Sequence, residues 1–86
     1  MRITRQLAAR KLQAYLKGRL ETAALVEWVE QAMMKGDVAP ADAAVLRKVV
    51  PRLGVADVRG FGLEWSDCAR MLRQLGFRAR IDVVAA

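Results

Sequence analysis

Gly18, Gly36, Gly54 and Gly76 divide the chain at nearly even intervals, and each closes a stretch whose apolar residues recur at helical spacing. Glycine just past a helix supplies the left-handed backbone conformation that ends many helices, so this punctuation predicts four of them. The stretches share no residue pattern, and no repeat follows. An 86-residue chain has one core for those helices to share, so residues 1–86 are expected to form a single domain. Only about 60% of the unfolded surface is buried at this size, which leaves stability modest unless an oligomer or a partner covers more.

The first helix is predicted from about Thr4 to Lys17, with Ile3, Leu7, Ala8, Leu12, Tyr15 and Leu16 on its apolar side. Arg2, Gln6, Arg10, Gln13 and Lys17 form a polar stripe opposite. The second helix begins near Glu21 or Thr22, stapled by Leu20 and Leu25, and turns Leu25, Trp28, Val29, Ala32 and Met33 inward. Pro40 opens the third, whose inner face carries Ala43, Leu46, Val50 and Leu53; Pro51 predicts a kink or an early stop. Between Gly54 and Leu63 the pattern is irregular, with room for a short strand and with Val55, Val58 and Phe61 as its expected anchors.

The fourth helix, from about Glu64 to Leu75, points Trp65, Cys68, Ala69, Leu72 and Leu75 inward. Glu64 and Asp67 face the positive end of its dipole, which accounts for them without any acid–base role. After Gly76 the period changes to two: Phe77, Ala79, Ile81 and Val83 alternate with Arg78, Arg80, Asp82 and Val84, the pattern of a strand with the first set covered. The expected fold is therefore mainly α, four short helices around one core with a C-terminal β-strand. That strand needs a partner for its backbone, in the Val55 to Arg59 segment, in the N-terminal residues or in a second copy, hence an expectation of homodimerisation through it.

Histidine is absent and Cys68 is the single cysteine, which excludes Ser-His and Cys-His nucleophile pairs, Cys/His zinc sites and an intramolecular disulfide. Cys68 falls on an apolar helix face and reads as a small buried hydrophobe. Gly60-Phe61-Gly62 lacks the Lys-Ser/Thr of a phosphate loop, and Asp37 and Asp42 lack the ligand series of a calcium loop. No enzyme, no cofactor and no metal is expected. No apolar run approaches the ~18 residues of a membrane span, and no apolar segment follows the charged start, so a cytoplasmic protein without a membrane partner is expected. The preference for arginine over lysine and the abundance of alanine fit a GC-rich bacterial coding sequence.

A net charge of +6 raises the expectation of an anionic partner. Six basic residues and no acidic one precede Leu20, whereas five acidic residues and one lysine lie between Leu20 and Leu46. Charge neutralisation across a hairpin of the first two helices is the plain explanation. Against it, Arg2 and Arg5 crowd the positive end of a helix dipole, an unfavourable placement that something must offset. Arg2, Arg10 and Lys17 would share one face along roughly 22 Å of helix. A helix-turn-helix fails in both registers. One would present Ala41, Asp42, Ala43 and Ala44 to DNA, and the other is broken by Pro51, Gly60 and Gly62. The expected function is a small non-enzymatic protein-interaction module, of the adaptor or toxin-neutralising kind, binding an acidic or mixed-charge protein through Arg2, Arg10, Lys17 and an exposed Met34. The alternative is a nucleic-acid-binding accessory protein using the basic first helix.

Overall fold

Thr4 ends an extended segment and accepts the Leu7 N–H on its hydroxyl at 3.1 Å, which starts helix α1 at Arg5–Leu16. The computed structural model describes residues 2–85. Its other helices are α2 (Thr22–Lys35), α3 (Ala43–Leu53) and α4 (Trp65–Gln74), with one 3₁₀ turn at Pro40–Asp42 leading into α3. All four helices fall where the glycine punctuation placed them. Glu64 and Asp67 form a reciprocal capping box at the start of α4, in addition to opposing its dipole.

The glycines act for two different reasons. Gly18 and Gly76 take positive φ, 72° and 93°, as the terminator argument requires. Gly36 closes α2 with φ −77°, and its role is steric: a Cβ there would strike the Ala32 carbonyl oxygen and come within 2.8 Å of the Ile3 side chain.

Ile3, Ala8, Leu12, Leu25, Val29, Leu46, Val49, Leu53, Cys68, Met71 and Leu75 form the closed centre of the core, with contributions from all four helices. Val49 and Met71 extend faces whose apolar arc is wider than the spacing suggested. Pro51 does not stop α3. It lies within the last turn, where its missing N–H removes a single bond, and the Gly54 N–H closes the helix on the Val50 carbonyl at 3.1 Å.

The β element is in a different place from the one predicted. Strand β1 (Arg2–Ile3) pairs in parallel with β2 (Asp37–Val38), Arg2 opposite Asp37 and Ile3 opposite Val38. Two residues are too few to show a period of two, so local pattern gave no sign of it. The segment from Phe77 onward forms no strand among the described residues, and of its four expected inward residues only Ala79 packs against the core. The irregular Gly54 to Leu63 segment is a series of turns without a strand. Val58 and Phe61 are exposed there; Ala56 is its buried residue, and the Arg52 guanidinium holds the segment by donating to the Phe61 and Gly62 carbonyls at 2.8 and 3.2 Å.

Candidate functional site

The polar stripe of α1 forms one wall of a groove of about 700 Å³, and residues 77–82 form much of the other. Gln6, Arg10, Gln13 and Lys17 line it from α1, following the predicted four-three-four spacing. Arg78, Arg80 and Asp82 line it from the C-terminal segment. Among the described residues, four cations thus share the groove with a single carboxylate. Among the described residues, none of the four has a carboxylate within ion-pair distance.

Trp65, Phe77 and Ile81 also line the groove. Trp65 was expected in the core, but it stands in the first turn of α4 and is 45% exposed, while Cys68, Met71, Leu72 and Leu75 make that helix's covered face. Phe77 is 40% exposed. The groove therefore combines two half-open aromatic rings with unpaired guanidinium and ammonium groups. Sequence spacing could not disclose this, because α1 and the C-terminal segment are some 60 residues apart in the chain and meet only through the fold.

Of the four residues expected to bind a partner, Arg10 and Lys17 come together in the groove. Arg2 does not share their face: it belongs to β1, and its guanidinium lies 3.6 Å from the Asp37 carboxylate, both exposed. Met34 is exposed at the end of α2, outside the groove. Met33, expected inward, is exposed as well and stands at the rim of a second, apolar cleft of about 300 Å³ lined by Ile3, Val38, Leu46 and Val50.

The cations crowded at the start of α1 are offset from within the chain. Arg5 donates its backbone N–H to Asp42 at 3.1 Å, pairs through Nε with the same carboxylate at 3.6 Å, and donates from Nη1 to the Leu75 carbonyl at 3.2 Å. Asp37 and Asp42, in the connection after α2, thus answer Arg2 and Arg5. Among the described residues no ion pair joins α1 to α2 itself, so the expected neutralisation across that hairpin is displaced to its far connection.

Asp67 is held below the usual carboxylate range, first by the hydrogen bond from the Glu64 backbone and then by Arg52 and Arg70, a structural environment that leaves it ionised. Burial pushes the Cys68 thiol up, as suits an unreactive core side chain. Among the described residues no group of three His, Cys, Asp or Glu side chains gathers as a metal site would require, and no helix is long and apolar enough to cross a membrane. No family model, no curated protein and no solved structure matches this chain. The groove's own chemistry is the guide to function.

Proposed function

We propose that the chain is a small non-enzymatic protein-interaction module of the bacterial cytoplasm, of the size and kind of adaptors and toxin-neutralising proteins, and that its groove takes an acidic segment of a partner protein. The observation that carries this reading is the composition of the groove: Trp65 and Phe77 beside Arg10, Lys17, Arg78 and Arg80, with Asp82 the one opposing charge among the described residues. Aromatic residues and arginine are the types enriched at protein interfaces and at their hot spots. An excess of three positive charges supplies complementarity to carboxylates and steers the encounter. Reversing Arg10 and Lys17 together to glutamate leaves the fold intact, because exposed unpaired charges contribute little to stability. The test is affinity capture from the native host, with and without nuclease, using the wild-type chain and the Arg10→Glu/Lys17→Glu variant side by side. A partner protein retained after nuclease and lost with the variant supports the reading; a set of captured proteins identical for the two chains refutes it.

A second reading, a nucleic-acid-binding accessory protein, is favoured by the same open rings, which offer stacking platforms among cations. It has a quantitative signature. At about 0.7 counterion per phosphate on a single strand, four groove cations limit the log–log salt slope to about 3. A labelled single-stranded oligonucleotide that binds with such a slope, and fails to bind when Trp65 is alanine, would favour this reading over the first.

A further inference from the structure

Residues 77–85 carry the alternation of a strand without strand partners. The Phe77 N–H bonds to the Leu72 carbonyl at 2.8 Å; from Arg78 to Ala85, among the described residues, no backbone group meets another. Ile81, Val83 and Val84 are 63%, 92% and 81% exposed. A run of apolar side chains and unpaired N–H and C=O groups is the condition that strand pairing between molecules relieves.

The sequence of the segment is complementary to itself in one antiparallel register. Two copies paired about Ile81 place Ile81 opposite Ile81, Ala79 opposite Val83 and Phe77 opposite Ala85 on one face. On the other face Arg80 lies opposite Asp82, twice by symmetry, and Arg78 lies opposite Val84. No like charges face one another. Shifting the two-fold axis to Arg80 would set two arginines directly opposite, and an axis at Ala79 would set Arg78 against Arg80; like charges in those positions are destabilising. A free two-stranded ribbon is marginal in water, but here each strand is backed by its own chain, since Ala79 packs on the core and Phe77 and Ile81 lie along the groove.

We infer that the chain forms a two-fold dimer in which residues 77–85 of two copies pair as antiparallel strands about Ile81, with reciprocal Arg80–Asp82 pairs. This stands apart from the acidic-partner reading, for it rests on the backbone and register of the segment and is tested on the chain alone. The interface is isologous, so pairing through this edge closes at two copies.

Sedimentation velocity of the full chain from micromolar to millimolar concentration tests it. The wild-type chain is expected to pass from monomer to dimer. Arg80→Asp or Asp82→Arg alone replaces two attractive cross-strand pairs with two repulsive ones and should raise the dimer Kd about tenfold. The double variant Arg80→Asp/Asp82→Arg should restore it, and Arg78→Asp, which faces Val84, should leave it unchanged. Amides from Arg78 to Val84 should gain exchange protection as concentration rises. A chain that stays monomeric throughout overturns the inference. So does a double variant no better than the singles, an Arg78→Asp variant as weak as Arg80→Asp, or exchange in this segment that is independent of concentration.

Discussion

Removing the Asp42 carboxylate should loosen three elements at once, because that side chain joins the turn before α3 to the start of α1, and Arg5 carries the connection on to the end of α4. Asp42 accepts the Arg5 backbone N–H at 3.1 Å, so it works as a second cap on α1, contributed from a residue far along the chain. A cap of this kind contributes about 1 kcal/mol. The Arg5 guanidinium, 3.6 Å away and 43% exposed, adds only a few tenths of a kcal/mol after solvent screening. Asp42→Ala should therefore cost about 1.5 kcal/mol, whereas Asp42→Asn keeps an oxygen for the Arg5 N–H and should cost about 0.5 kcal/mol. The assay is urea unfolding followed by tryptophan fluorescence. With a slope of about 1 kcal/mol/M, the alanine variant's midpoint falls by about 1.5 M. An alanine variant within about 0.5 kcal/mol of wild type would refute the capping argument. An asparagine variant as unstable as alanine would show that charge, and not the hydrogen bond, carries the effect.

Trp28 is buried and Trp65 is not, so Trp28→Ala should cost about 3 to 5 kcal/mol in equilibrium unfolding and Trp65→Ala below about 1 kcal/mol. Trp28→Phe should be far milder than Trp28→Ala, since the Trp28 indole N–H is buried without a partner among the described residues and its loss breaks no bond there. Gly36→Ala forces its Cβ onto the Ala32 carbonyl and should lower the thermal midpoint well beyond the effect of Gly62→Ala, where a Cβ meets open space. Asp67 has a folded pKa below its unfolded one, so its contribution is complete above the ordinary carboxylate range and is lost as pH falls through the lowered value. The stability gap between wild type and Asp67→Asn should accordingly be constant near neutrality and shrink under acid; a gap that widens on acidification would contradict the assignment.

Helices and core were legible in the sequence because their signals are local. Thr4 and Glu64 announced helix starts, the glycines announced ends, and apolar residues at three-and-four spacing chose the inner faces of all four helices. The errors concern residues at the ends of those faces. Met33 and Trp65 continue an inward series in the last and first turns, where periodicity still points inward although a cleft or a groove, rather than core, lies beneath. Val58 and Phe61 were expected to anchor their segment by burial, and a side chain from the preceding helix, Arg52, does it by donating to the Phe61 and Gly62 carbonyls. Arg2 was misassigned because its placement depends on Asp37, to which only the parallel β1–β2 pairing connects it. The groove was half legible: the α1 stripe was read with its spacing, while the second wall needed the fold to bring Arg78 and Arg80 across from it.

Arg80 belongs to both proposed surfaces, and that shared use has a measurable consequence. In the groove it is one of four cations available to an acidic partner; in the paired segment it faces Asp82 of a second copy. One guanidinium cannot satisfy both carboxylates at full strength, so partner binding and self-association should oppose each other. Thermodynamic linkage makes the effect reciprocal: the factor that dimerisation applies to partner affinity on each chain is applied to the dimer constant once for every copy that carries partner. Loss of one exposed cross-strand pair is worth up to about 1 kcal/mol, which is up to about thirtyfold in the dimer constant when both copies carry partner and up to about fivefold in partner affinity. Titrating the acidic partner at chain concentrations below and above the dimer Kd measures it, and affinity should fall by that factor across the transition. The control is Arg80→Thr, which removes the contested group and should make partner affinity nearly independent of chain concentration. Equal affinity for wild-type monomer and dimer would mean that Arg80 serves only one of the two surfaces.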